Sequence, residues 1–293
     1  MLTPLAAIRE GFRQTRRVRG AIWILFWLNF GLAAIAGLPI YAGILRFTGH
    51  SLTNETLSQN SSVEWLTDFS INSPGSLTRY ATVIGLMGLI SMVVNAVLTG
   101  GVLGAFRLPQ PEFSLQSFFH DAGRYCWRLL RLWLIGLVCY WIVFRVLHQA
   151  LGNLVDRWSR DQPDGRPVFW VQLGATALLV VALAFVNLLM DYARVSLVMK
   201  DSPSAVSALR ASLTFFATGL RQAMAVYAIP TLVSVALAGI YLAVAPWQES
   251  DRPWMLVLLF AAQQVLMFAR YWLRVVTWAS EWFYYGGANP DNS

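Results

Sequence analysis

Asn187, Asp191 and Arg194 stand at helical spacing near the end of a long apolar run, so one face of that run turns polar as it approaches water. Other polar side chains set in or beside apolar stretches are Asn29, Asn95, Arg145, Gln263, Gln264 and Arg270. Such groups are costly inside a bilayer unless they pair or line a cavity, which makes them the first place to look for chemistry. Two uses are open to them. As fasteners they join helices through hydrogen bonds and ion pairs, with Asp191 pairing to Arg194 on its own helix or to Arg270 across the bundle. As a relay they pass protons or substrate, a role for which Asp191 lacks a second buried carboxylate.

The remaining chemistry is sparse. His50 and His148 with Asp156 match no compact metal-ligand spacing, and no Gly-rich phosphate loop, H-E-x-x-H, G-x-S-x-G or paired-carboxylate arrangement occurs. No cofactor or metal is therefore expected. Cys126 and Cys139 lie thirteen positions apart on one expected helix, about 20 Å along its axis, which is too far for a disulfide. Ala96, Gly100 and Gly104 form a small-residue face for close helix packing, and Pro230 beside Thr231 interrupts a backbone ladder.

The elements that must position these residues are membrane spans. The chain is 57% hydrophobic and only 13% charged, whereas soluble domains carry about a quarter charged residues. Runs of about 20 apolar residues mark six expected transmembrane helices, at 21–45, 81–106, 132–151, 168–190, 223–245 and 254–275. Ala34-Ile35-Ala36 resembles a signal-peptide cleavage site, but the apolar run continues through Leu45 and reads as a retained span. With the amino terminus in the cytoplasm, fifteen of the 22 Lys and Arg residues fall inside, which places both termini there. The net charge of +7 thus suits anionic lipid headgroups, not nucleic acid.

A basic amphipathic stretch precedes each expected hairpin. The first carries Arg9 and Arg13 behind a Thr3-Pro4 cap. The second sets Leu115, Phe118, Phe119, Ala122, Cys126 and Leu129 on one stripe, opposite His120, Arg124, Arg128 and Arg131. In the third, Ser202-Pro203 caps a helix whose Val206, Leu209, Leu213, Phe216 and Leu220 lie opposite Arg210 and Arg221. These are expected to lie in the cytoplasmic interface with their arginines near phosphates. The fold class is an all-α polytopic membrane protein of three helical hairpins, with parallel repeats at about 1–107, 113–194 and 203–276. At an offset of ninety, Ser114 pairs with Ser204, Leu130 with Leu220 and Arg131 with Arg221.

Asp191-Tyr192-Ala193-Arg194, followed by Asp201-Ser202-Pro203-Ser204-Ala205 and Ala208-Leu209, resembles a signature of bacterial six-span membrane proteins. Those proteins are similar to the membrane domain attached to some glycerophosphoryl diester phosphodiesterases. The resemblance covers about a quarter of the chain, and it implies the architecture and a bacterial inner membrane. It does not imply esterase activity, because the soluble phosphodiesterase barrel is missing.

Three functions follow as expectations. The first is a non-catalytic protein that organises or assists anionic lipids, or a membrane or cytoplasmic protein partner, at the cytoplasmic leaflet. The second is a transporter or permease subunit for a small solute or lipid, using Asn29, Asn95 and Gln263. The third is a lipid-modifying enzyme using Asp191 and His120.

Overall fold

The computed structural model describes residues 3–48, 71, 75–107, 113–160, 165–244 and 253–288. His50, most of the stretch between the first two expected spans and most of that between the last two lie outside them. Long apolar runs with few backbone breakers favour helix, and no strand occurs among the described residues. The elements are α1 (Pro4–Arg17), α2 (Arg19–Thr48), α3 (Ser76–Arg107), α4 (Leu115–Ser159), α5 (Gly165–Met199), α6 (Ala205–Val244) and α7 (Pro253–Ala288). Five of them, α2 to α6, are long and apolar enough to cross a membrane, so the chain is a polytopic helical membrane protein. The sixth expected span, 254–275, is helical within α7 but is not among those five; Gln263, Gln264, Arg270 and Arg274 interrupt its apolar run.

The amphipathic stretches differ from expectation in two ways. Only α1 is a separate helix, capped by Thr3, whose Oγ1 accepts from the Ala6 amide at 3.3 Å, and ended at Val18. The other two run on into spans: α4 is continuous from Leu115, with a π-helical segment over Val143–His148, and α6 breaks helical geometry only at Gly219. The expected loop at 156–167 is correspondingly short, since α4 reaches Ser159 and α5 begins at Gly165.

Their buried faces are also rotated. At the start of α4, Phe118, Ala122, Tyr125, Leu129 and Leu132 are buried, while Leu115 and Phe119 are exposed. In α6, Ala208, Ser212, Phe215 and Phe216 are buried, and Val206 and Leu213 are exposed. These faces pack on other helices. α1 lies against α7, the start of α4 against α3, and the start of α6 against α5. At the second of these contacts the small-residue face is used. A Cβ added to Gly100 would stand 3.1 Å from the Tyr125 Cβ, and one added to Gly104 would stand 2.6 Å from the Asp121 Cβ; the neighbouring Gly101, outside that face, would place one 2.7 Å from the Phe118 carbonyl oxygen.

Each long helix packs on the next in the chain, and α7 returns to α2, closing a ring of six. The ends of α3, α5 and α7 also touch one another across its middle. The core is confined to the end of the ring that carries α1 and most of the arginines. Apart from Val155 and Pro230, every buried apolar side chain among the described residues lies there, at 7–26, 96–132, 186–226 or 273–285. The opposite half presents exposed Leu, Ile, Val, Phe and Trp on every long helix, as expected of surfaces that meet acyl chains.

Candidate functional site

Where the packed half gives way to the open half, a cavity of about 570 Å³ lies inside the ring, lined by residues of all six long helices. Its upper wall is uncharged and polar. The amides of Asn29 on α2 and Asn95 on α3 bond reciprocally, Asn95 Nδ2 donating to Asn29 Oδ1 at 2.7 Å and Asn29 Nδ2 to Asn95 Oδ1 at 3.1 Å. The Ser91 hydroxyl donates to the same Asn29 oxygen at 2.8 Å. Across the ring, the Tyr140 hydroxyl of α4 donates to Asn187 Oδ1 of α5 at 2.6 Å, and Thr231 and Ser234 of α6 complete the wall.

Its lower wall is cationic. Arg194 of α5 and Arg270 and Arg274 of α7 all line the space. Asp191 lies among them with no exposed surface, and its Oδ1 accepts from Arg194 Nη1 at 2.8 Å, Arg274 Nη2 at 2.8 Å and Trp278 Nε1 at 3.3 Å. The Arg274 guanidinium also stacks on the Trp278 ring, 4.9 Å from its centroid. Arg194 was an expected partner of Asp191, but the cross-bundle cation is Arg274 and not Arg270. Four residues, one helical turn, separate the two, and only Arg274 is level with Asp191. Arg270 is exposed and makes no hydrogen bond or ion pair among the described residues. Three guanidinium groups against one carboxylate leave a surplus of two positive charges (3 − 1) at the cavity.

Below this floor lies a residue absent from the sequence reading. Glu281 is wholly buried, and neither carboxyl oxygen has a hydrogen-bond partner among the described residues. It follows the apolar span that ends at Val275. Burial first, and then the nearby Asp191 carboxylate, push its carboxyl well above the usual range, against the opposing pull of Arg274 and Arg194. Two signals point to it in the sequence: it stands two turns after Arg274 on the same helical face, and ninety positions after Asp191, the same offset that relates the second and third repeats.

The other candidates are dispersed. Arg145 and Gln263 are exposed away from the cavity, and Gln264 is half-buried but does not line it. Asp191 is enclosed in the bundle whereas His120 is exposed on α4, and no hydrogen bond links them. Among the described residues no group of three His, Cys, Asp or Glu side chains is arranged to hold a metal, and Cys126 and Cys139 are unpaired.

Of the basic-face residues, Arg9, Arg13, Arg131, Arg210 and Arg221 are exposed. Arg124 and Arg128 are instead committed to the connection between α5 and α6, where Arg124 Nη2 donates to Asp201 Oδ2 at 2.5 Å and Arg128 Nη1 to Asp201 Oδ1 at 2.7 Å. Partial burial alone would raise the Asp201 carboxyl. The Arg128 hydrogen bond and the charges of Arg124, Arg128 and Arg107 outweigh it and hold the group below the usual carboxylate range.

No protein-family profile matches the chain, and neither a curated protein nor a solved structure is significantly similar to it.

Proposed function

We propose that this chain is a non-catalytic integral protein of the bacterial inner membrane that holds an anionic, phosphodiester-bearing lipid headgroup inside its helix ring. In this reading all six long helices span, as three hairpins in parallel repeats with both termini cytoplasmic. The observation that carries the proposal is the polar cavity with its surplus of two positive charges. A surplus of this kind in a cavity between membrane helices calls for an anion, and guanidinium forks match phosphate oxygens. Leu25 on the cavity wall is six residues, about 9 Å, from Arg19 at the basic end, so the floor lies within reach of headgroups in the cytoplasmic leaflet. The exposed Arg9, Arg13, Arg131, Arg210 and Arg221 hold that end against anionic phosphates. The similarity in the Asp191 to Leu209 segment to the membrane domain of some glycerophosphoryl diester phosphodiesterases supports the same architecture.

A transporter is the second reading, favoured by the position of the cavity between all six helices, where membrane carriers bind cargo. Binding is tested by thermal unfolding in detergent with dihexanoylphosphatidylglycerol or the zwitterionic dihexanoylphosphatidylcholine added. The anionic lipid stabilises the protein, and Arg270→Gln, which breaks no ion pair, weakens that effect at least about tenfold, the worth of one charge-assisted contact. Equal stabilisation by both lipids, or no response to Arg270→Gln, overturns the proposal. Movement of fluorescent phosphatidylglycerol between leaflets of reconstituted vesicles separates a carrier from a holder.

A further inference from the structure

On α7, Arg274 lines the cavity and reaches Asp191, while Glu281 stands two turns further on the same face, one turn past Trp278. No donor meets either Glu281 oxygen among the described residues. The ionisable groups around this part of α7 are Asp191, Arg194 and Tyr192 from α5, Tyr227 from α6, and Arg274, Tyr284 and Tyr285 from α7 itself, with Lys200 beyond α5 lying over the Tyr285 ring. The buried residues of α1 are uncharged (Ala7, Ile8, Gly11, Gln14 and Thr15), Arg19 of α2 is exposed, and Arg107 of α3 is engaged with the Tyr125 hydroxyl. A carboxylate there without a counter-ion is unfavourable, so the group is stable as the acid or as the partner of a guanidinium turned toward it.

We propose that Glu281 is a proton-binding site coupled to the cavity, with Arg274 serving either an anion above it or an ionised Glu281 below it. An anion entering the cavity draws Arg274 upward, and the Glu281 carboxylate then takes a proton from water to become the neutral acid. Release of the anion returns Arg274 and lets the proton leave. One proton therefore accompanies each anion, and anion affinity falls as pH rises through the range in which Glu281 ionises. This coupling rests on the reading of the cavity as an anion site.

Two measurements on the full chain in nanodiscs test it. Infrared spectra recorded over a pH series contain a protonated-carboxyl band that persists above the pH at which the exposed carboxyls ionise and that Glu281→Gln lacks. Calorimetric titrations in two buffers of different ionisation enthalpy give the protons taken up per anion. The probes are dimethyl phosphate and dihexanoylphosphatidylglycerol, phosphodiesters that keep one charge throughout, and binding of both means that the phosphate group suffices without acyl chains. Wild type takes up close to one proton per anion over the pH range in which that band is lost, and its affinity falls there by up to about tenfold per pH unit. Glu281→Gln binds without proton uptake and without that pH dependence. A missing carboxyl band, or equal proton uptake in Glu281→Gln, overturns the proton site while leaving anion binding intact. Probe binding without proton uptake, beside a band that is present, overturns the coupling. Failure of both probes to bind overturns the cavity reading and the coupling with it. Proton uptake by wild type alone decides the coupling if Glu281→Gln fails to fold.

Discussion

The two halves of the helix ring are made from similar residues but are held in different ways. In the basic half, side chains interlock and backbones approach, with Gly101 pressed on the Phe118 carbonyl and Gly11 on the Ser280 backbone. In the opposite half, Gly31, Gly37, Gly85, Gly88, Gly174 and Gly239 have open space where a Cβ would go, and long apolar side chains face outward. Water drives apolar groups together, but lipid tails are as apolar as leucine and provide no such drive. Close packing, ion pairs and amide bonds therefore hold the basic half, while acyl chains surround the other. The cavity occupies the boundary between these regimes.

The largest expected effect tests what holds the packed half. Asp191→Ala leaves Arg194 and Arg274 without their shared acceptor, and removing one partner of a buried ion pair costs about 3–5 kcal/mol. Denaturation in detergent reads that loss as a collapse of the basic half. Next comes a paired substitution that compares the halves directly. Gly101→Val forces a side chain into the α3–α4 contact and costs about 1–3 kcal/mol, whereas Gly88→Val in the open half changes stability by no more than about 0.5 kcal/mol. Equal effects from the two valines would break the comparison.

The same difference explains what could be read from the chain alone. Apolar runs and the asymmetric spread of arginine marked the long helices, because bilayer length and charge act on each run separately. The buried faces of α4 and α6 were less legible. An apolar stripe facing lipid and one facing another helix have the same periodicity, so the stripes that contain Phe119 and Leu213 do not tell which of their residues are buried, and Tyr125 on α4 lies outside them. Ser202 as a helix cap was misread for a local reason. Its amide closes α5 by donating to the Leu197 carbonyl at 3.0 Å, and α6 starts only after Ser204. Glu281 escaped notice because it lies past the last apolar run, where carboxylates are ordinarily solvated; only the tertiary contacts bury it.

A smaller effect is expected at the cavity's upper wall. Asn29 and Asn95 are partly buried and join α2 to α3 through two amide hydrogen bonds. A double-mutant cycle with Asn29→Leu and Asn95→Leu is expected to give a coupling of about 0.6 kcal/mol, the mean for polar pairs between membrane helices. A coupling of several kcal/mol would mean that this wall belongs energetically with the packed half, moving the boundary toward the open end.

An effect of similar size is expected at the rim of the packed half. Asp201 ends α5 with a φ of 46°, a left-handed conformation that usually falls to glycine, and its carboxylate is gripped by Arg124 and Arg128. Two substitutions separate these roles. Asp201→Gly relaxes the backbone but loses the ion pairs, whereas Asp201→Ala loses the ion pairs and keeps the strained φ, so alanine is the more destabilising. The ion pairs themselves are partly exposed and contribute at most about 1 kcal/mol. Because the folded carboxyl titrates below its ordinary value of about 3.9, this contribution is complete above that pH and is lost as pH falls through the lower folded value. The measurement is the acid dependence of unfolding for wild type and Asp201→Ala, which share the strained φ and differ in the ion pairs. The two profiles should differ by a constant amount at neutral pH and converge only in strong acid, and convergence near neutral pH would show that the arginines do not hold this end of α5.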